Sequence, residues 1–298
     1  MSGPRSLLIM PANRETMLAK AATYAADALV FDLEDAVPVA EKAKARVLAR
    51  EYIGTSSTAA LVYARVNAPP SGMLEEDLDA IVVPGLVGIR VPKSESADDI
   101  QRIDALLTAL ERERGLPVGA VQVCPSLESA KGVWFAYEIA SSSPRVRSIM
   151  CGTAENGDLQ GDLGYTWTAE GEEKLYVRSR VLLAARAAGV EHVLDGAFSN
   201  VRDAEALRID CEASRKLGYR GRSVIHPNQI ETVNRVFMPT DQELDYQRRV
   251  VQEFDAAVAR GSAAITVDGK LVDYAMAATA RRVLAWAEGL TAGEGVKE

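Results

Sequence analysis

Acidic side chains and one arginine recur at the ends of short apolar runs in this chain. They are Asp32, Glu34, Asp35, Arg65, Glu128 and Asp158. If the runs are parallel strands of a barrel, their C-terminal ends converge on one face, and barrel enzymes carry their chemistry on that face. Acids gathered there would repel one another unless a hard cation or an arginine compensates their charge. The pattern therefore indicates a metal site that accepts an anionic substrate.

Glu128 and Asp158 are the candidate metal ligands. Glu128 lies just past the fifth apolar run, and Asp158 lies in the loop after the sixth. Adjacent strand ends would bring these carboxylates together, and two carboxylates completed by water and substrate oxygens are typical of a Mg²⁺ site. The same spacing also fits a Glu128 that caps a helix and an Asp158 that lies in a turn, so the spacing alone leaves both interpretations open.

Arg65 ends the third apolar run, where an unpaired charge would be costly. A functional arginine at this position would bind a carboxylate through two hydrogen bonds. The structural alternative is an ion pair with Glu34 or Asp35, and the two roles are compatible.

Two further groups of side chains lie at predicted strand ends. The acidic turn, defined as Asp32, Glu34 and Asp35, could orient Arg65 or a metal-bound water, or Asp35 could simply cap a helix. Lys93 follows the fourth run and could contact substrate or belong to a helix cap.

The chain has two histidines, and they are expected to differ in role. His226 follows the eighth run and would suit a general base or a binding contact, with a structural role as the alternative. His192 opens a strand at its N-terminal end, which is the wrong face of a barrel for catalysis, so we expect it to be structural.

Eight apolar runs rich in Val, Ile and Leu predict strands that are buried on both faces. They cover residues 6–10, 28–33, 61–66, 87–91, 120–124, 148–151, 192–194 and 223–225. Helical patterns separate most of them, at residues 14–26, 37–52, 98–114, 171–188 and 203–217. This alternation implies parallel strands, and eight units suit barrel closure. We therefore predict an α/β fold, with a (β/α)₈ TIM barrel as the catalytic domain over residues 1–235 and a C-terminal helical extension over residues 236–298 that serves as lid and oligomer contact.

Composition excludes several classes of protein. The 298 residues carry a formal net charge of −8, which argues against nonspecific binding to nucleic acid. The three cysteines are widely spaced and form no CxxC pair, which favours a reducing cytoplasm over a disulfide framework. No stretch approaches the roughly 20 apolar residues of a membrane helix. We expect a cytoplasmic protein without membrane or nucleic-acid partners.

Five motifs, taken in order, resemble the citrate lyase β-subunit-like (CitE-like) group of the HpcH/HpaI aldolase superfamily, which is related to malyl-CoA and citramalyl-CoA lyases. The motifs are Asp-Leu-Glu-Asp-Ala-Val at 32–37, Arg-Val-Asn at 65–67, Pro-Lys-Ser-Glu-Ser at 92–96, the 158–164 stretch, and Ile-His-Pro-Asn-Gln at 225–229. The resemblance covers nearly the whole chain.

The resemblance implies a barrel enzyme that makes or breaks a carbon–carbon bond next to a CoA or acyl-carrier thioester with the help of Mg²⁺. It implies that Glu128 and Asp158 hold the metal and that Asp273 is contributed across a subunit boundary as the proton carrier. It further implies a homotrimer, or a hexamer built from two trimers. The substrate, a thioester that yields a small keto acid, is expected to contact Arg65, Glu128, Glu34, Lys93 and His226.

The implied reaction is a retro-Claisen cleavage of a β-hydroxyacyl-CoA such as malyl-CoA, citramalyl-CoA or a citryl thioester. Malyl-CoA thioester hydrolysis and a CoA-independent hydroxy-keto-acid aldolase are alternatives on the same scaffold. A non-catalytic subunit of a lyase complex is a third, weaker alternative.

The chain departs from the group's pattern in two places. The loop from Gly152 to Asp158 is about three residues longer than usual, so that alignment on its glycine end would make Glu155 the second metal ligand instead of Asp158. In addition, Ala12 follows Pro11 where glycine is common. Both differences suggest a divergent branch of the group.

Overall fold

The computed structural model describes residues 3–55, 58–168 and 170–294, with side chains up to residue 290. The chain divides into two compact units. Pro4–Phe237 forms the first, and the chain from Met238 onward belongs to the second.

The first unit is a closed barrel of eight parallel strands. The strands are β1 (Ser6–Pro11), β2 (Ala28–Asp32), β3 (Leu61–Arg65), β4 (Gly88–Val91), β5 (Gln122–Leu127), β6 (Ser148–Cys151), β7 (His192–Asp195) and β8 (Gly221–Val224). Each strand pairs in parallel with the next, and β8 returns to β1 with Arg222 opposite Ser6. The predicted (β/α)₈ barrel is confirmed.

The helices of the first unit follow the strands, as crossover connections require. They are α1 (Glu15–Leu18), α2 (Lys42–Thr55), α3 (Leu74–Ile81), α4 (Ala97–Glu113), α5 (Ala130–Trp134), α6 (Ala136–Ser141), α7 (Asp158–Leu163), α8 (Glu172–Ala187), α9 (Ala204–Leu217) and α10 (Ile230–Phe237). Short 3₁₀ turns lie at Ala21–Thr23, Val39–Glu41, Pro69–Ser71 and Pro227–Gln229.

Alternation along the strands separates two buried layers. Val30, Tyr63 and Cys124 pack together in a small interior cluster, whereas alternate residues such as Leu29 and Val123 join the larger core with the helices. Because side chains two positions apart share a face, the next interior positions toward the strand ends are Asp32, Arg65 and Ser126. The apolar interior is therefore topped by a polar layer.

Two element predictions need correction. The fifth strand continues through Pro125 to Leu127 instead of ending at Cys124. The helix predicted over residues 14–26 is reduced to α1 and one 3₁₀ turn, because only Leu18 and Ala21 of its middle are buried and the segment has little apolar surface to stabilise a longer helix.

The second unit contains α11 (Asp241–Ala259), the antiparallel strands β9 (Ile265–Val267) and β10 (Lys270–Val272), and α12 (Tyr274–Glu294). A capping box formed by Thr240 and Glu243 begins α11. The core of the second unit includes Val250, Phe254 and Val272. The function of this unit as a lid and oligomer contact stays a prediction. In the part of the chain that the structure describes, no helix is long and apolar enough to cross a membrane.

Candidate active site

The ends of β2 and β3 join the acidic turn to Arg65. Asp32 and Arg65 are directly opposite in the β2–β3 register. Arg65 donates from Nε to Asp32 Oδ1 at 2.6 Å and from Nη2 to Asp32 Oδ2 at 2.7 Å. Its Nη1 lies 3.0 Å from Glu34 Oε2 and 3.6 Å from Asp35 Oδ2. Two donors are thus fixed by Asp32, and the remaining edge of the guanidinium faces Glu34.

This bidentate pair fixes the charges of both partners. Burial opposes ionisation of Asp32, but the hydrogen bonds and charge of Arg65 outweigh it and lower the pKa of the carboxyl. Burial likewise opposes the charge on Arg65, and Asp32 outweighs it and raises the pKa of the guanidinium. The pair is therefore a permanently ionised anchor, and it holds Arg65 in one orientation.

Lys93 connects the acidic turn to the loop after β6. Its Nζ lies 2.9 Å from Glu34 Oε1, 3.3 Å from Asp35 Oδ1 and 3.5 Å from Asp158 Oδ2. The backbone of Lys93 has a φ of +49°, in the left-handed region that non-glycine residues seldom adopt. Burial raises the pKa of Glu34 to about 7 despite the opposing effects of Arg65 and Lys93.

Glu128 lies directly after β5 in a nearly enclosed position. Its side chain is 11% exposed, and the nearest ion-pair contact is 3.7 Å from its Oε1 to Arg90 Nη2. Among the described residues, no group donates a hydrogen bond to this carboxylate. Burial raises the pKa of Glu128 more than the neighbouring cations Arg90 and Arg65 lower it. A nearly enclosed carboxylate without a hydrogen-bond donor is costly to ionise unless a cation lies beside it.

Because Gly152 has no side chain, it leaves room for the side chain of Glu128. A Cβ at residue 152 would lie 2.7 Å from Glu128 Cγ and 3.0 Å from the Leu127 carbonyl oxygen. Any side chain here would push Glu128 out of its position.

Asp158 is the first residue of α7, and its side chain is 56% exposed. Burial is the main cause of the raised pKa of Glu128, and the negative charge of Asp158 adds to it. Asp162, one turn further along α7, accepts the backbone N–H of Ala130 at 2.6 Å, next to Glu128. The loop after β6 is thereby attached to the loop after β5.

The alternative ligand Glu155 is half-buried, and its backbone carbonyl accepts a hydrogen bond from Ser199 Oγ at 3.1 Å. The Asp158 side chain contacts Lys93, and the choice between Asp158 and Glu155 as the second ligand stays a prediction. Within residues 3–55, 58–168 and 170–290, no three Cys, His, Asp or Glu side chains are arranged to hold a metal ion. A cation here would thus have two protein carboxylates and otherwise water or substrate oxygens, which is the ligand set Mg²⁺ accepts.

His226 and Asp273 both act as helix caps. His226 Nδ1 accepts the N–H of Asn228 at 3.2 Å and begins a 3₁₀ turn. Asp273 lies in the second unit, where its Oδ1 accepts the N–H groups of Ala275 and Met276 at 2.9 and 3.1 Å. The substrate contact predicted for His226 and the proton transfer predicted for Asp273 stay predictions. His192 is buried at the start of β7 and bonds the Pro4 carbonyl oxygen at 3.0 Å, as expected of a structural residue.

Two buried cations at this end of the barrel were not predicted. Arg90 donates to Ser126 Oγ at 2.7 Å and to Ser223 Oγ at 3.1 Å beneath Glu128. Lys42 Nζ donates to the carbonyl oxygens of Leu33 and Glu34 and to Asn67 Oδ1 at 2.6–2.8 Å. The available signal for Arg90 was a charge inside an otherwise apolar run.

Comparison with known proteins identifies the family. The profile of the HpcH/HpaI aldolase/citrate lyase family matches residues 5–227. The citrate lyase subunit beta of Leuconostoc mesenteroides subsp. cremoris is 36% identical over 94% of this chain and 92% of that protein. A (3S)-malyl-CoA thioesterase of Cereibacter sphaeroides is 35% identical over 97% and 96%.

The barrel also resembles solved structures. The crystal structure of CitE from Mycobacterium tuberculosis in complex with magnesium, acetoacetate and coenzyme A has a TM-score of 0.75 and 29% identity, over 96% of this chain and 98% of that one. A citrate lyase beta subunit from the same organism, complexed with oxaloacetate and magnesium, has a TM-score of 0.65 and 30% identity, over 80% of this chain and 98% of that one. The sequence, the barrel and its polar mouth together show that the chain belongs to the HpcH/HpaI aldolase/citrate lyase family.

Proposed function

We propose that the protein is a Mg²⁺-dependent carbon–carbon lyase that cleaves or forms a β-hydroxyacyl-CoA, such as malyl-CoA, citramalyl-CoA or a citryl thioester, by a retro-Claisen reaction. The observation that carries this proposal is the Glu128 carboxylate, which is only 11% exposed, accepts no hydrogen bond from the described residues and lies at the same end of the barrel as Asp158. The relatives named citrate lyase subunit beta, and the CitE structures that contain magnesium with coenzyme A or keto acids, support it.

Glu128 and Asp158 would hold Mg²⁺, which acts as a Lewis acid toward the keto oxygen and carboxylate of the α-keto acid product. The exposed Asp158 and the enclosed Glu128 leave the solvent side of the pair open to these substrate oxygens.

Arg65 would stabilise the negative charge that develops on the thioester oxygen as the carbon–carbon bond breaks. Asp32 fixes its Nε and Nη2, so the guanidinium is already oriented before substrate binds. Lys93 balances the charge of the acidic turn and Asp158, and Glu34 lies between the two cations as a further substrate contact. His226 at the end of β8 is the remaining proposed substrate contact.

Asp273 would carry the proton between the substrate hydroxyl and the nascent enolate. Both backbone N–H groups that it caps donate to Oδ1, so Oδ2 is left for proton transfer. We place this residue in the active site of a neighbouring subunit, within a homotrimer or a hexamer. The buried, free cysteines fit a reducing cytoplasm as the compartment.

Hydrolysis of malyl-CoA is the second candidate, and the relative named (3S)-malyl-CoA thioesterase favours it. In that reaction water attacks the thioester and free CoA leaves, whereas the lyase releases acetyl-CoA and a keto acid.

Matched variants test the metal assignment. Glu128→Gln and Asp158→Asn should each abolish Mg²⁺-dependent release of keto acid from malyl-CoA or citramalyl-CoA, while the control Glu155→Gln should retain it. Full activity in Asp158→Asn with loss in Glu155→Gln would reassign the second ligand. Full activity in Glu128→Gln would contradict the proposed function.

A further inference from the structure

The loop that carries Asp158 is attached to the end of β7 by one buried hydrogen bond. Thr153, two residues after β6, donates from Oγ1 to Asp195 Oδ1 at 2.6 Å. Both side chains are almost completely buried. Asp195 is the last residue of β7, so the bond joins the ends of two neighbouring strands.

Asp195 is itself fixed by an ion pair and a backbone hydrogen bond. Its Oδ2 lies 2.8 Å from Arg178 Nη2, and its Oδ1 also accepts the backbone N–H of Gly196 at 2.9 Å. Arg222 donates twice to the Gly196 carbonyl oxygen, at 2.8 and 3.0 Å. Arg178 and Arg222 both pair with Asp210 on α9, at 2.9 and 3.0 Å. The carboxylate that accepts the Thr153 hydrogen bond therefore belongs to a buried network of ion pairs and hydrogen bonds with Arg178, Arg222 and Asp210.

The backbone of the loop also packs against Gly196, the residue after Asp195. A Cβ at Gly196 would lie 2.7 Å from the Thr153 nitrogen and 3.0 Å from the Ala154 nitrogen. Beyond Thr153 the loop is held by the bond from Ser199 Oγ to the Glu155 carbonyl and by the bond from Ala130 N–H to Asp162. Asp158 lies between the Glu155 and Asp162 attachments, and Thr153 is the first residue after β6 whose side chain forms a hydrogen bond to another strand end.

We infer that Thr153 and Asp195 are positioning residues that fix the loop carrying Asp158, and so the place of its carboxylate relative to Glu128. This inference rests on the proposed function, because it assumes that the two carboxylates share a cation. Among the described residues, no hydrogen bond or ion pair joins Asp195, Arg178, Arg222 or Asp210 to a proposed substrate-binding side chain, so we expect their effect on the cation to act through the loop. Partners that orient metal ligands typically change metal affinity by about 10- to 100-fold when they are removed.

The test measures binding of Mn²⁺ alone to the full-length protein, by loss of the free-ion electron paramagnetic resonance signal, with Mn²⁺ as an oxygen-ligated stand-in for Mg²⁺. Thr153→Val keeps the shape of the side chain and removes the hydroxyl, and it should weaken binding about tenfold or more. Thr153→Ser restores the hydroxyl and should bind within about twofold of wild type. Thr153→Ala provides a second removal of the hydroxyl should the valine variant fold poorly.

Thr108→Val is the matched control. Thr108 accepts a hydrogen bond from Arg145 at 2.9 Å in another ionic network, which also bonds the Val121 carbonyl just before β5 begins. Its loss should lower the melting temperature and leave Mn²⁺ affinity within about twofold of wild type, because it lies at the opposite end of the barrel from the predicted site.

The outcomes separate the two claims. Wild-type affinity in both Thr153→Val and Thr153→Ala, combined with loss of binding in Asp158→Asn, would overturn the positioning role and leave the proposed function intact. Unchanged binding in Asp158→Asn would overturn the positioning role, because the loop would then hold no ligand at residue 158. Absence of saturable Mn²⁺ binding to the wild-type protein would overturn both.

Discussion

Gly152→Ala is expected to displace Glu128, the proposed metal ligand, while leaving the barrel folded. The added Cβ would lie 2.7 Å from Glu128 Cγ. Non-bonded carbons pack at about 3.5 Å or more, so one of the two must move by roughly 0.8 Å. A displacement of about 1 Å at a catalytic group can reduce turnover on the order of 100-fold. Because the Leu127 carbonyl oxygen blocks movement of residue 152 itself, at 3.0 Å, Glu128 must yield.

The stability cost of this change should be modest. Overpacking of this kind destabilises proteins by about 1–3 kcal/mol. Gly161→Ala is the control, since a Cβ at residue 161 meets no atom within 4 Å and the residue lies inside α7. It should stabilise the protein by about 0.5–1 kcal/mol and leave turnover unchanged.

Steady-state kinetics over a Mg²⁺ titration, together with urea unfolding of each variant, distinguish these effects. Gly152→Ala should show a raised Mg²⁺ activation constant and a kcat/KM reduced about 100-fold. Wild-type kinetics in Gly152→Ala, or an equal loss in Gly161→Ala, would refute the argument that Gly152 makes room for Glu128.

Three other substitutions test separate features of the barrel. Arg65→Lys cannot form the two-point contact with Asp32, so kcat should fall at least about 10-fold in steady-state assays; unchanged kcat would contradict a charge-stabilising role. Lys42→Met should lower the free energy of unfolding by about 1–3 kcal/mol in urea titrations, because it leaves the Leu33 carbonyl and the Asn67 amide oxygen without their donor. Burial lowers the pKa of His192 to about 4 from 6.5, so its contribution to stability is complete above pH 6.5 and is lost as pH falls toward 4. This lowering of the pKa corresponds to about 3 kcal/mol, and His192→Asn should remove that part of the acid destabilisation. An unchanged pH profile of unfolding would refute it.

The barrel was predictable because most of its strands coincide with compact apolar runs, and β6 begins and ends where the sequence indicated, at Ser148 and Cys151. The predicted ends of single strands were wrong where one residue type is compatible with two structures. Pro125 is typical of a strand end, yet β5 runs through it. Short helices such as α5 and α7 contain too few residues to show a clear period.

The strand-end positions of the candidate site residues were predictable, but their contacts were only partly so. Position at a strand end is a local property, so Arg65, Lys93 and Asp158 could be identified individually. Their partners depend on register and loop path, which are long-range properties. Asp32 takes the two-point contact with Arg65 because β2 and β3 align those two residues. The ion pairs of Arg65 with Glu34 and Asp35, which the sequence also offered, are present beside it. Arg90 was missed because its charge is buried among apolar neighbours and balanced by residues far away in the chain.

Product analysis of the purified wild-type protein tests the proposed lyase activity most directly. Malyl-CoA and citramalyl-CoA are supplied with Mg²⁺ or with EDTA, and acetyl-CoA, free CoA and keto acid are quantified. The proposed function predicts acetyl-CoA and glyoxylate or pyruvate in equal amounts, with Mg²⁺ only. Free CoA without keto acid would establish hydrolysis instead, and equal product formation in EDTA would contradict the assigned role of Glu128 and Asp158.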